Sequence, residues 1–349
     1  MQIRECGRSG LKLSALGIGC WSFGGGDADY WGPQDQKDAQ EVVRKAVELG
    51  VNYFDTAEAY NAGRSETGLG QAIRDVPREA VVIGTKLAPS NAFPGMVNEH
   101  CEASLKRLAT DYIDLYMVHW PLTLKGINQF DRSITVPPVV DEVFAELVKL
   151  RDQGKIRHIG VSNFGHERLD EALRTGADVA VNQLPYSLVS RAIEWEILPL
   201  CAERGVGVVG YMALQQGLLS DRYTSLDQLL PLRRRTRHFD NRKVSLARHG
   251  EDGAESELAD ALGKIHSLAR ELGTTVSKLA LAWCVARQAL TCTLAGARNV
   301  RQLEENAHAF ASPLSGDVIR RLDDITQPIK EKMGPSFDYW ESRANDRTV

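Results

Sequence analysis

Asp55, Tyr60, Lys86 and His119 are residue types that can share one proton-transfer task. A phenol ionises near pH ~10, so at neutral pH it holds a proton but gives it up slowly. An ammonium beside it favours the phenolate and draws that value down toward working pH. A carboxylate can hold the ammonium in place and offset the cost of its burial. An imidazole completes the set as a donor to an oxygen on a bound molecule. In that division of labour Tyr60 is the acid and base, Lys86 its tuner, Asp55 the orienter and His119 the polariser. Each also has a plain structural explanation. Asp55 before Thr56 can cap a turn, a loop tyrosine packs, a terminal lysine is solvated, and His119 before Trp120-Pro121 suits a strand edge. Placement favours the shared role, because all four fall at or just past the ends of consecutive short apolar segments.

Those segments belong to a longer series. Apolar, β-branched runs at residues 15–20, 51–56, 81–86, 113–119, 158–162, 179–183, 206–211 and 291–297 read as strands. Helix-sized stretches lie between them, at 35–49 (ending at Gly50), 65–74 (with Ser65 as a cap), 94–109 and 138–153 (ending at Gly154). Others cover 166–175, 193–204 and 299–310. Short apolar strands alternating with helices are the pattern of a parallel sheet covered on its face. Eight such units favour closure into a (β/α)8, or TIM, barrel, in which strand ends and the loops after them build the active site. Three segments break the series. Residues 6–13 suggest an N-terminal β-hairpin, 215–253 a long polar loop after strand seven, and 313–349 a C-terminal extension with a helix at 316–325. Its tail carries Phe337, Tyr339 and Trp340. The whole chain reads as one domain, with the barrel core at about 15–310.

Motifs add a family resemblance. Asn52-Tyr53-Phe54-Asp55-Thr56-Ala57-Glu58-Ala59-Tyr60 resembles the aldo-keto reductase signature, with Asp and Tyr five residues apart. Gly63-Arg64-Ser65-Glu66, Gly84-Thr85-Lys86, the run from Asp114 to Pro121 and the run from Lys155 to Phe164 are similar to that family's later blocks, in order. The likeness extends from about residue 3 to 326. It implies reduction of a carbonyl, with hydride going to carbon and the Tyr60 proton to the developing alkoxide.

No Gly-x-Gly-x-x-Gly opens a helix after a strand, so a Rossmann site is not indicated. The resemblance implies another dinucleotide site. Ser162, Asn163 and Gln183 match positions that bond the nicotinamide carboxamide, Tyr211 the aromatic beneath the ring, and Trp21 a residue at the cofactor and pocket. Gly296 leads into a helix whose N-terminus favours phosphate. Arg298 matches the residue gripping the 2′-phosphate, with Gln302 assisting and Glu305 and Asn306 near adenine. NADPH is therefore expected over NADH, although Asn299 stands where a basic or hydroxylic residue is common. Met212-Ala213 replaces the family's Ser-Pro, while main-chain groups of Leu214, Gln216 and Gly217 remain for the pyrophosphate. Arg222 falls where a lysine often neutralises it. The Arg233-Arg234-Arg235 and Arg237 cluster fits a cofactor clamp and a solvated basic loop equally well. Asn61 replaces a common glycine.

Trp21, Tyr30, Trp31, Phe93 and Trp120 are expected to form an aromatic substrate wall, with Gly24-Gly25-Gly26 opening the loop before Tyr30. They leave the substrate open among small aldehydes, sugars, keto-steroids and other ketones. Two alternatives stand beside carbonyl reduction: a cofactor-sensing regulatory subunit similar to the potassium-channel β-subunits, and net oxidation of a sugar or polyol.

Bulk properties limit the partners to small molecules. A net charge of −4 with interspersed signs gives no case for nucleic acid or an anionic membrane. No stretch approaches the ~20 apolar residues that cross a bilayer, and the polar first ten residues lack an apolar signal region. The six scattered cysteines read as reduced and buried, and the expected location is the cytoplasm. A chain of 349 residues buries enough core to need neither disulfide nor metal, and its oligomeric state is left open.

Overall fold

Eight short, almost wholly buried strands close on themselves in parallel. The computed structural model describes residues 1–25 and 34–349. After a hairpin of β1 (Ile3–Glu5) and β2 (Lys12–Ser14), the barrel strands are β3 (Leu16–Gly19), β4 (Tyr53–Asp55), β5 (Val82–Leu87) and β6 (Ile113–Val118). They continue with β7 (Ile156–Ser162), β8 (Val179–Pro185), β9 (Gly207–Tyr211) and β10 (Cys292–Ala295). The order around the barrel is β10-β3-β4-β5-β6-β7-β8-β9, which confirms the closed (β/α)8 architecture. Because each strand is followed by a crossover helix, all strand ends that share a direction open at one mouth.

Inside the barrel, Tyr53, Leu115, Met117, Val181, Val209, Cys292 and Leu294 fill the axis. Glycines make room for the largest of them. A Cβ on Gly84 lands 2.4 Å from the Tyr53 hydroxyl, and one on Gly160 lands 2.8 Å from Met117 Cγ. The hairpin plugs the N-terminal mouth with Cys6, Leu11 and Leu13, which join the same cluster. Outside, amphipathic helices such as Gln36–Glu48 bury one stripe, here Ala39, Val42, Val43 and Ala46, against the sheet.

Several local expectations need correction. Ser65 is not a cap: the helix Arg64–Ala72 starts after Gly63, and the Ser65 hydroxyl donates to Cys20 O at 2.7 Å and meets Thr56 Oγ1 at 2.7 Å. Two helices absent from the sequence reading, Glu255–Glu271 and Val276–Val285, lie between β9 and β10. The C-terminal helix runs from Gly316 to Met333, past Pro328. Its buried Leu322, Thr326, Ile329 and Met333 keep one stripe across the proline, and that burial outweighs a penalty of ~3 kcal/mol. The 215–253 segment is built of short 3₁₀ turns tied to the tail. The fully buried Arg237 donates to Ser336 O, Met333 O and Glu251. Arg237 is thus neither a cofactor clamp nor a solvated charge but a structural anchor. No helix among the described residues is long and apolar enough to cross a membrane.

Candidate active site

Asp55 ends β4, Lys86 lies near the end of β5, and His119 follows β6, so register places them side by side at the C-terminal mouth. Tyr60 comes from the turn after β4. The Lys86 ammonium donates to Asp55 Oδ1 at 2.7 Å, Thr56 O at 2.7 Å and the Tyr60 hydroxyl at 3.3 Å, using all three of its protons. The second Asp55 oxygen accepts from Gln183 Nε2 at 2.6 Å and from the Tyr53 hydroxyl at 3.2 Å. Since β4 and β8 face each other across the barrel, the Gln183 bond spans its top. The Tyr60 ring stacks on Trp21 (centroids 5.0 Å, interplanar 13°) and meets His119 edge-on at 5.6 Å.

The charges follow from these contacts. Burial works against the Lys86 ammonium, but Asp55 and Tyr60 more than compensate and hold its pKa above the ordinary lysine range. Burial, with Lys86 adding to it, drops His119 well below the usual histidine range, so its imidazole is neutral at pH 7. Burial pushes the Tyr60 phenol up, Lys86 pulls it down and Asp55 pushes it up again, leaving it above its ordinary value. The expectation that Lys86 brings this phenol down to working pH is therefore corrected, because desolvation outweighs the ammonium. Among the described residues, His119 Nδ1 is buried and has no hydrogen-bond partner. Phe130 lies 5.7 Å from its ring.

The residues expected to hold the nicotinamide form a linked group beside the four. Asn163, in the left-handed region at φ 64°, donates to His119 O at 3.1 Å and to Ser162 Oγ at 3.1 Å, and accepts from the Tyr211 hydroxyl at 2.7 Å. Ser162 Oγ donates to Gln183 O at 3.0 Å. After β9 the chain enters a run of positive φ at Met212, Gln215, Gln216 and Gly217. Within this run Gln215 N donates to Met212 O at 2.7 Å and Gly217 N to Leu214 O at 2.9 Å, so the turn satisfies these N–H groups itself. Arg233, of the basic cluster, reaches Gln216 O in this loop at 3.3 Å. Arg222 is exposed, its guanidinium 5.4 Å from the Tyr223 ring.

At the far end of the rim, Asn299 caps the helix Val300–Ala311 by accepting from Gln302 N at 3.0 Å. Gln302 Oε1 accepts from Arg298 N at 3.0 Å, and Asn306 donates to Gly296 O at 3.2 Å. Glu305 is exposed and faces Arg301 at 3.8 Å. An exposed Arg298 beside a helix N-terminus is a donor set suited to a phosphate.

Of the aromatic wall, Trp21 is at Tyr60, and Tyr30 and Trp31 lie outside the described residues. Phe93 is half-buried, its carbonyl accepting from Met96 and Val97 at the start of a helix. Trp120 is buried, and the Arg347 guanidinium lies 4.0 Å over its ring. Arg347 in turn holds the buried Asp338 at 2.6 Å. The tail thus returns to the C-terminal mouth, a contact with no local sequence signal. Sequence reasoning also passed over Gln34, which donates to Arg298 O at 2.9 Å, and Glu58, a buried acid inside the signature itself. Its position two residues from Tyr60 was the available clue.

Comparisons with known proteins bear on the family of the chain. A family model described as "Aldo/keto reductase family" matches residues 15–327. An NADH-specific methylglyoxal reductase of Escherichia coli (strain K12) is 33% identical over 330 residues, covering 88% of this chain and 93% of that one. Aldo-keto reductase YhdN of Bacillus subtilis (strain 168) is 31% identical over 350 residues, covering 97% of each. Among solved structures, an aldo/keto reductase from Klebsiella pneumoniae in complex with NADP and acetate matches with TM-score 0.69 and 28% identity, covering 93% of this chain and 95% of that one.

Proposed function

The chain belongs to the aldo/keto reductase family, and we propose that it reduces an aldehyde or ketone to an alcohol, with NADPH preferred over NADH and Tyr60 as proton donor. The observation that carries this reading is the Tyr60 hydroxyl resting 3.3 Å from an ammonium that Asp55 fixes at 2.7 Å, at the strand ends. When bound, the nicotinamide supplies a hydride for the carbonyl carbon. The protein's own groups manage the oxygen. A neutral His119 with a buried, unpartnered Nδ1 keeps its proton on Nε2, because a buried orphan N–H is the costlier state. From there it donates to the carbonyl oxygen and orients it. Tyr60 passes its proton to that oxygen as negative charge grows, and Lys86 stabilises the phenolate left behind. Oxidation of a sugar or polyol reverses the same steps. A complete relay favours turnover over a purely cofactor-sensing subunit.

Ser162, Asn163 and Gln183 would hold the carboxamide, Tyr211 the ring face, and the loop from Met212 to Gly217, with Arg222, the pyrophosphate. Arg298 and Gln302 would take the 2′-phosphate, with Glu305 and Asn306 at adenine. Trp21, Phe93 and Trp120 would wall the substrate, a small molecule met in the cytoplasm. The relatives point to both cofactors, one being NADH-specific and the other holding NADP. The preference here rests on Arg298.

Tyr60→Phe spares the ring and removes the proton. It should lower kcat/KM by roughly 10²- to 10⁴-fold while NADPH binding, followed by nicotinamide fluorescence, stays intact. Parental rates would remove Tyr60 from the reaction. Arg298→Ala should raise the NADPH dissociation constant by about 10- to 100-fold and leave that for NADH nearly unchanged. Equal weakening of both would show that Arg298 does not read the phosphate.

A further inference from the structure

Glu58 is a buried carboxylate between Asp55 and Tyr60, with its side chain 6% exposed, and the proposed reaction gives it no role. Its contacts form a pattern. Past the end of β4 the main chain keeps bonding to the neighbouring strand: Thr56 N donates to Gly84 O at 2.8 Å and Glu58 N to Lys86 O at 3.3 Å. There the chain turns away, and Tyr60 N closes the turn on Ala57 O at 3.0 Å. The next N–H on the β5 side, that of Ala88, then meets Glu58 Oε1 instead of a main-chain carbonyl, at 2.8 Å. Asn91, in the following 3₁₀ turn, donates to the same oxygen at 2.9 Å. The other oxygen takes His100 Nδ1 at 2.6 Å, from the helix Met96–Leu108. The bond to Glu58 raises the His100 pKa above its ordinary value, with Glu99 adding to the rise and burial and Arg107 opposing it.

We infer that Glu58 is a positioning residue: its carboxylate completes the β4–β5 ladder in place of the departing main chain and so sets how far Tyr60 stands from Lys86. The inference rests on the proposed proton relay. Lys86 is two residues before Ala88 and Tyr60 two residues after Glu58, so the clamp joins the two segments that carry the phenol and the ammonium. The turn it holds needs holding, because Asn61 and Ala62 follow Tyr60 at φ 53° and 54°, a conformation that L-residues adopt at a cost. Without the carboxylate, the turn relaxes and the hydroxyl moves away from the ammonium.

The test separates position from folding. Carbon NMR of ring-labelled tyrosine, with Tyr60→Phe assigning the resonance, follows the Tyr60 phenol directly and needs no turnover. The charged groups acting on it are Lys86, Asp55 and Cys20, with His119 and Tyr211 beside it. Glu58→Ala keeps these and removes only the Glu58 carboxylate, whose loss alone would lower the phenol's pKa, so a rise reports position. In Glu58→Ala the phenol should titrate at higher pH than in the parent, because a more distant ammonium stabilises the phenolate less. The alkaline limb of kcat should move the same way. The value of kcat itself should fall on the order of 100-fold with the NADPH dissociation constant unchanged. Glu58→Gln keeps an oxygen for Ala88 and Asn91 and should restore most of the loss. If Glu58→Ala does not fold, Asn91→Ala removes one donor from a half-buried turn and should give the same shift in smaller amount. A Tyr60 resonance titrating as in the parent, in whichever of these variants folds, overturns the inference. A parent protein that turns over no carbonyl or alcohol overturns the proposed function instead, and the titration still decides the role of Glu58.

Discussion

The two mouths of the barrel are built from opposite materials. At the N-terminal mouth, Cys6, Leu11 and Leu13 of the hairpin press apolar side chains against Leu115, Met117, Val181 and Val209. The fit is close enough that a Cβ on Gly7 lands 1.9 Å from Gly205 O. At the C-terminal mouth, Asp55, Lys86, Gln183, Ser162 and Asn163 are just as thoroughly buried, but they are joined by hydrogen bonds and an ion pair. Tyr53 joins the two, with its ring in the apolar layer and its hydroxyl on Asp55. One end lowers the free energy of the fold. The other keeps charges out of water at a cost in stability that only matched partners limit, and it holds the groups that can move a proton.

Substitutions at the two mouths should therefore fail differently. The largest effect is expected at the charged end. Lys86→Met leaves Asp55 without its cation, so stability should fall by about 3–5 kcal/mol. The rate of carbonyl reduction should drop roughly 10²- to 10⁴-fold in the same protein. Denaturant unfolding together with steady-state rates reads both, and a variant that keeps its stability would mean that Asp55 finds another partner. At the plugged end, Leu13→Ala should remove about 2–5 kcal/mol with kcat and KM unchanged. A kinetic defect there would erase the distinction between the mouths.

A smaller effect lies in the layer that backs the loop after β9. Gln215 and the buried His238 approach at 3.4 Å, and His238 Nε2 bonds Val189 O at 2.7 Å. Burial is the first cause that lowers the His238 pKa, to about 4. The folded protein thus binds this proton less readily than the unfolded chain does. The associated stability is complete above about pH 6.5, declines as pH falls below that value, and is lost once pH passes through about 4. The loss amounts to about 3 kcal/mol. His238→Gln should flatten that part of the stability profile, and an unchanged slope in the variant would assign the titration to other groups.

Much of this was legible in the residues alone. The barrel strands appear within a few residues of their expected bounds, because strands buried on both faces must be continuously apolar and their ends are marked by the residues that leave the core. The clustering of Asp55, Tyr60, Lys86 and His119 was legible because consecutive parallel strands put their C-terminal ends together whatever the loops do. Other features were not. The pairs Arg347–Trp120 and Arg237–Met333 connect residues about a hundred or more positions apart, and no periodicity or capping signal encodes such a contact. Ser65 had the right type for a helix cap, yet the nearby Cys20 carbonyl and Thr56 hydroxyl took its hydrogen bonds. For Glu58 the only clue was its place two residues before Tyr60, since which N–H a carboxylate meets depends on where the chain turns.

Residue order by itself determined the alternation of strand and helix, and with it which four ionisable groups share a mouth. Period and polarity are local properties, and closure of a parallel sheet follows from them. Folding in three dimensions decided the ionisation states. His119 is neutral, Lys86 stays charged and the Tyr60 phenol sits above its ordinary range because of burial and of neighbours a few ångströms away. Desolvation and Coulomb energies depend on distances through space, and distance along the chain does not supply them.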